Sequence, residues 1–156
     1  MKVIFLDFDG VLNSAKYRES VEDYHSNFID ERKLEMLAVL VEETGAEIVL
    51  TTQWRLHWNE GDVQEHPDGY RINELFAKYG MKIYSKTESF GNNRNLEVAD
   101  WLVRHDVDNY VIFDDIDFFW SESNRMHFIK TNDAKDGLSP YDLGVAKFIF
   151  DDNKEM

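Results

Sequence analysis

Asp7 and Asp9 stand one residue apart in Asp7-Phe8-Asp9-Gly10-Val11-Leu12, directly after the apolar run Val3-Ile4-Phe5-Leu6. That run reads as a buried strand, so both carboxylates fall where a strand ends and a Gly10-assisted turn begins. Side chains alternate along a strand but diverge at its end, which lets the pair approach one ligand. Negative charges that close are costly unless a cation or a proton intervenes. Metal binding joined to nucleophilic or acid–base work is the chemistry this allows. A solvated acidic turn has the same local pattern. Two further segments bear on the choice: Val49-Leu50-Thr51-Thr52 and Val111-Ile112-Phe113-Asp114-Asp115 are also apolar runs that end in hydroxyl or acidic residues. Emergence into solvent explains any one such strand end, but explains three in order poorly.

Strands alternating with helical patterns are needed to bring these segments together. Residues 2–6 and 46–50 read as strands, with weaker ones at 81–84 and 126–129 (the latter an edge) and a strong one at 110–113. Residues 13–29, polar with Tyr17, Tyr24 and Phe28 interspersed, read as a flap with a short irregular or helical piece. A helix starts after the cap Asp30, carries Leu34, Leu37, Ala38 and Val41, and ends at Gly45. A helical turn over 53–58 leads to a loop bearing Gly61, Pro67 and Gly69, then to a helix over 71–78 that Gly80 ends. Asn93 caps a helix whose Leu96, Ala99, Leu102 and Val103 face the sheet. Ser139 and Pro140 open a last helix through Leu143, Ala146, Lys147 and Phe150, followed by an acidic tail. This alternation predicts a parallel α/β sheet covered on both faces, with ligands beyond the carboxyl ends of its strands.

With these segments in place, the chain resembles the haloacid dehalogenase-like (HAD) phosphohydrolase superfamily over nearly its whole length. Asp7, Asp9, Gly10 and Leu12 match its first motif, Thr51 the second, Arg94 the basic third, and Asp114-Asp115 the acidic fourth, with Asp117 nearby. Ile48-Val49-Leu50-Thr51-Thr52-Gln53-Trp54-Arg55 and Asp136-Gly137-Leu138-Ser139 are similar to phrases in the small HAD domains of bacterial RNA-repair proteins. The resemblance implies one three-layer α/β/α sandwich over residues 1–156. Its Rossmannoid parallel sheet would have about five strands in the order 5-4-1-2-3, with no large cap.

The resemblance also implies roles. Asp7 would be the nucleophile, forming an aspartyl-phosphate, and Asp9 the general acid and base. Mg²⁺ would be held by Asp7, the Asp9 backbone carbonyl and Asp115, with Asp114 the second choice as ligand. Asp114 or Asp117 would otherwise orient metal-bound water or the basic residue. Thr51 would bind a phosphoryl oxygen, with Thr52 as its alternative if the register slips. Arg94 would clamp the phosphoryl group, with Lys86 as competitor. Trp54 and Arg55 form either a substrate platform, stacking plus guanidinium, or a sheet-edge cover and an ion pair. His57, His66 and Tyr70 read as surface residues, and Phe118, Phe119 and Trp120 as core under the final helix.

Bulk properties narrow the function classes. Thirty-one acidic residues against seventeen basic give a formal net charge of −14 at pH 7. Such a chain repels polyanions at long range, so non-specific duplex binding is not expected. A phosphorylated small molecule or a single-stranded nucleic-acid end remains compatible, because a bound cation reverses the local field. No run approaches the roughly 18 apolar residues of a membrane span, and Met1-Lys2 leads into a strand rather than a signal peptide. The absence of cysteine fits a reducing cytoplasm and excludes thiolate metal sites. The five histidines show no metal-ligating spacing, so no zinc site is expected. Three functions follow: a Mg²⁺-dependent phosphomonoesterase, a phosphotransferase, and a silent HAD-like regulatory or interaction domain.

Overall fold

Along β1 (Lys2–Leu6), Ile4 and Leu6 turn to one face and Val3 and Phe5 to the other, and all four are fully buried. A strand apolar on both sides needs helices on both sides. The computed structural model, which describes residues 1–151, provides them. β1 lies at the centre of a five-stranded sheet with β2 (Glu47–Leu50), β3 (Ile83–Lys86), β4 (Asn109–Asp114) and β5 (Phe128–Lys130). The order is β3-β2-β1-β4-β5 and every pairing is parallel, matching the expected order.

The helices among the described residues are α1 (Ala15–Ser20), α2 (Glu31–Thr44), α3 (Pro67–Lys78), α4 (Arg94–Val103), α5 (Glu122–Arg125) and α6 (Pro140–Asp151), with a 3-10 turn over Gln53–His57. Leu34 and Leu37 of α2, Ile72 and Phe76 of α3, and Phe150 of α6 join Ile4, Leu6, Leu50 and Phe113 in the larger core. Val98 and Trp101 of α4 cover the other face with Val3, Phe5, Val49, Ile112 and Trp120. The result is an α/β/α sandwich. None of the described helices is long and apolar enough to cross a membrane.

The predicted caps act as such. The Asp30 carboxylate accepts the Arg32 N–H at 3.1 Å, and Gly45, at φ +70°, closes α2 by donating to the Val41 carbonyl at 2.8 Å. Ser139 and Asp142 cap α6 reciprocally, each side chain accepting the other's N–H.

Several local readings need correction. α3 starts at Pro67, with the His66 ring accepting the Asp68 N–H as cap, so Pro67 and Gly69 lie in a first turn rather than a loop. β3 begins two residues later than expected, where Ser85 and Lys86 pair with Val49 and Leu50. α4 buries Arg94, Glu97, Val98 and Trp101, whereas Leu96 and Val103 are 46 % and 86 % exposed. Apolar periodicity misplaced this face because two of its buried residues are charged and pair with each other. Trp120 packs on the α4 side rather than under α6, and Phe119 is 91 % exposed. The acidic tail beyond residue 151 lies outside the described residues.

The α4 face is open to a direct test. Trp101→Ala should lower unfolding stability by about 3–5 kcal/mol in urea titrations, as large-to-small core changes do. Val103→Ala should stay within about 0.5 kcal/mol of wild type. Comparable losses in both would place the buried face as the apolar periodicity does.

Candidate active site

Sheet register assembles the site. Leu6 lies opposite both Leu50 and Phe113, so the next residues, Asp7, Thr51 and Asp114, form one row at the carboxyl ends of three adjacent strands. The Asp7 N–H donates to the Phe113 carbonyl at 3.2 Å and the Thr51 N–H to the Leu6 carbonyl at 3.0 Å, continuing the ladder into the row. The row straddles β1 and β4, where the connections change direction across the sheet, the usual place for a ligand in this architecture.

Asp115 follows Asp114 and packs against Gly10. Gly10 has φ +83°, and a Cβ there would overlap the Asp115 carboxylate, so the turn after β1 requires glycine on both counts. The Thr131 hydroxyl donates to the Gly10 carbonyl at 2.6 Å and fixes the turn from the end of β5. Carboxylate oxygens of Asp7, Asp114 and Asp115 all lie within 4.8 Å of one another.

Arg94, in the first turn of α4, offsets this charge. Its Nη1 donates to Asp114 Oδ2 at 2.9 Å and to the Thr51 hydroxyl at 3.2 Å, and lies 3.9 Å from Asp7 Oδ1. Its Nε faces Glu97 Oε1 at 3.4 Å, and its guanidinium lies over the Phe118 ring at 5.0 Å. Glu97 is buried and pairs through Oε2 with Arg55 at 3.2 Å. Lys86 points elsewhere, donating to the Arg55 carbonyl at 3.1 Å and to the Trp58 carbonyl.

Arg55 is therefore no substrate platform. It is 1 % exposed and donates to the carbonyls of Thr51, Thr52 and Thr87 at 2.8, 2.9 and 3.0 Å. Five guanidinium donors suit such a staple between the ends of β2 and β3. Thr52 is fully buried as well, and its hydroxyl accepts the Trp54 N–H at 3.3 Å to cap the 3-10 turn, which takes it away from ligand. Trp54 does face the site: its Nε1 donates to Asp9 Oδ2 at 3.3 Å while its ring stacks on Phe28 at 3.9 Å.

Asp9 is held from the flap. Its Oδ1 accepts from Asn13 Nδ2 at 3.0 Å and from the Tyr24 hydroxyl. Asn13 is fully buried and also joins the Gly10 N–H and the Phe28 carbonyl, at 2.9 and 2.8 Å. Arg18 braces Asn13 at 2.9 Å and forms an ion pair with Asp133 at 2.7 Å. Sequence reasoning missed Asn13, Tyr24, Asp133 and Glu97 as parts of the site. The one available signal was the density of Tyr and Asn in an otherwise polar flap.

Asp7, Asp9, Arg94 and Asp115 line one open cavity of about 350 Å³, together with Gln53, Asn92, Ile116 and Phe118. Thr51 and Asp114 lie beneath it, bonded to Arg94, while Asp117 turns outward to pair with Arg125 at 3.3 Å. The Asp7 carboxyl is raised to about 6, chiefly by burial and further by the Asp115 and Asp9 charges, against the pull of Arg94. Burial and the Asp7 charge likewise raise Asp114 against the pull of Arg94, and burial raises Asp115. Such an all-oxygen cluster, three carboxylates against one guanidinium and so two positive charges short when all are ionised, fits Mg²⁺. Arg94 and the Ile116 N–H occupy both Asp114 oxygens, which leaves Asp7 and Asp115 the freer ligands.

A stability measurement tests this electrostatic picture. Asp7 holds its proton more tightly when folded, at about 6 against 3.8. Its contribution to stability is thus complete below pH 3.8 and lost as pH rises through about 6. In metal-free thermal melts, the stability of Asp7→Asn relative to wild type should rise across that interval, and Mg²⁺ should reverse the rise. A difference independent of pH and of Mg²⁺ would contradict the assignment.

Comparison with known proteins agrees with this geometry. A family model described as the HAD domain in Swiss Army Knife RNA repair proteins matches residues 3–143. Searches of curated proteins and of solved structures return no match. With the parallel sheet, the row of strand-end residues and the family match over most of its length, this chain belongs to the HAD domain family of Swiss Army Knife RNA repair proteins, within a superfamily of phosphohydrolase type.

Proposed function

We propose that the chain is a Mg²⁺-dependent phosphomonoesterase that works through an aspartyl-phosphate on Asp7. The observation that carries this reading is the placement of Asp7, Asp9, Arg94 and Asp115 around one open cavity. Asp7, the Asp9 carbonyl and Asp115 would hold Mg²⁺, which when bound neutralises carboxylate and phosphoryl oxygens and keeps Asp7 ionised.

The Asp7 carboxylate attacks phosphorus, and the bond from phosphorus to the ester oxygen breaks as Asp9 gives that oxygen its proton. Asp9, now a carboxylate, takes a proton from water as the water oxygen attacks phosphorus and the bond from phosphorus to the Asp7 oxygen breaks, releasing phosphate and the Asp7 carboxylate. Hydrogen bonds from Asn13, Tyr24 and Trp54 to Asp9 orient its carboxyl for both transfers. The Arg94 guanidinium and the Thr51 hydroxyl supply donors for phosphoryl oxygens.

For the substrate we favour a nucleotide or a single-stranded nucleic-acid end over a free sugar phosphate. The Trp54 ring beside Asp9 and the family's occurrence in RNA repair proteins support this. The charge of −14 opposes long duplexes. Transfer to an acceptor other than water would begin with the same Asp7 step, and added alcohol acceptors would reveal it.

Purified protein with an aryl phosphate should release phosphate with Mg²⁺ and lose that activity in EDTA. Asp7→Asn should lower kcat roughly 10³-fold or more and Asp9→Asn about 10²–10⁴-fold. Asp9→Asn should retain more Mg²⁺ affinity than Asp115→Asn. Equal rates in all samples would refute the mechanism. Mg²⁺ binding without turnover of any phosphoester would favour a silent regulatory domain. Across 3′- and 5′-phosphorylated oligonucleotides, mononucleotides and sugar phosphates, Trp54→Ala should lower kcat on every substrate through its lost bond to Asp9 and raise KM for the base-bearing substrates alone. A strong sugar-phosphate preference would remove the nucleotide reading and leave the chemistry standing.

A further inference from the structure

Asp9 is held by residues whose hydrogen bonds can run in only one direction. Asn13 is fully buried, and its carbonyl oxygen Oδ1 accepts from the Gly10 N–H and from Arg18 Nη1, each at 2.9 Å. A backbone N–H and a guanidinium donate and never accept. These two donors fix which end of the Asn13 amide is which. Its amino end is thereby turned to Asp9 Oδ1, the Tyr24 hydroxyl and the Phe28 carbonyl, at 3.0, 2.9 and 2.8 Å. Tyr24 accepts from that amino group, which leaves its own hydrogen for Asp9 Oδ1.

Arg18, in the last turn of α1, is itself anchored. Its Nη1 and Nη2 donate to Asp133 Oδ1 and Oδ2 at 2.7 and 2.8 Å, a bidentate charge-assisted pair. The Asp133 carbonyl accepts the Ala15 N–H at 3.0 Å, so the loop after β5 grips both ends of α1. Neither Arg18 nor Asp133 lines the cavity that Asp7 and Asp9 share. The two oxygens of Asp9 end up unequal. Oδ1 accepts from Asn13 and Tyr24, and a proton placed on it would face two donors. Among the described residues Oδ2 accepts from Trp54 Nε1 alone, at 3.3 Å, a long bond that an oxygen bearing a proton tolerates.

Given the acid–base role proposed above for Asp9, we propose that Arg18, anchored by Asp133, is a positioning residue for proton transfer. Through the Asn13 amide it keeps Asp9 Oδ1 an acceptor, so the proton in transit is carried on Oδ2. In the first displacement Oδ2 gives its proton to the ester oxygen as that oxygen leaves phosphorus and the Asp7 oxygen bonds to phosphorus. In the second, Oδ2 takes a proton from water as the water oxygen bonds to phosphorus and the Asp7 oxygen leaves.

Dependence on the leaving group separates this role from a merely structural one, because dinitrophenolate departs without a proton and an alkoxide needs one. Arg18→Met keeps the aliphatic stem and removes the donor. The Arg18 and Asp133 side chains are 30 % and 31 % exposed, so the change strands no buried charge. In the full chain with Mg²⁺, kcat/KM covers the steps up to phosphorylation of Asp7. It should fall about tenfold for an alkyl phosphate and by a clearly smaller factor for dinitrophenyl phosphate. With the dinitrophenyl ester, kcat and KM should fall together, because water must still lose its proton in the second displacement. Arg18→Lys, which restores a donor, should recover part of the loss, and Asp133→Asn should show the same pattern more weakly. Equal losses on both esters, or no loss, in a folded Arg18→Met beside an active wild type would overturn this role and leave the phosphatase chemistry standing. A wild type inert toward every phosphoester would overturn both.

Discussion

Asp7 and Asp114 lie side by side at the ends of β1 and β4 with the Arg94 guanidinium between them, 2.9 Å from one and 3.9 Å from the other. Parallel pairing makes them neighbours, and burial makes their like charges expensive. One guanidinium can offset one carboxylate of this pair. Asp115 adds a further negative charge at the rim, so the cluster is two positive charges short of balance when its three carboxylates are ionised. That imbalance is the physical basis for reading the cavity as a cation and phosphate site, and burial, aided by the Asp115 and Asp9 charges and opposed by Arg94, is why Asp7 holds its proton up to about 6. Arg94 needs its own support, because removing either partner of a buried pair leaves an uncompensated charge. Glu97 braces Arg94, and Arg55 braces Glu97 while tying down the carbonyls after β2. Charge balance thus runs from the cavity through α4 to the strand ends on its far side.

The sheet and the flap divide the work. Hydrogen-bonded register places Asp7, Thr51 and Asp114 with little freedom, as suits the phosphoryl and cation contacts proposed for them. Asp9 lies one step beyond the ladder, and its carboxyl depends on Asn13, Tyr24 and Trp54. Those partners sit in the segment between β1 and α2 and in the turn after β2, where few ladder bonds act. On the proposed mechanism Asp9 carries a proton first to a leaving group and then from water, a task served by supports softer than the sheet.

Legibility followed chain locality. Asp7, Thr51 and Asp114-Asp115 were readable because each ends a short apolar run, and a parallel sheet brings such ends together. Asp30, Gly45, Asn93 and Ser139 were readable as caps because capping is a contact over a few residues. The face of α4 was not, because Arg94 and Glu97 are buried by pairing with each other and with Asp114 and Arg55 rather than by their own hydropathy. Arg55 beside Trp54 resembled an exposed recognition pair, yet its donors meet carbonyls of the chain itself. Tyr24 reaches Asp9 through an irregular flap, so no helical or strand spacing announced it.

The stereochemical course at phosphorus tests the central claim most directly. A phosphomonoester whose phosphoryl group is made chiral with oxygen isotopes would be turned over in the presence of an alcohol acceptor, and the configuration of the transferred group determined. Attack by Asp7 followed by attack of the acceptor comprises two in-line displacements and gives net retention. Retention is the predicted result. Inversion would show a single direct displacement with no phosphorylated Asp7, and would contradict the account.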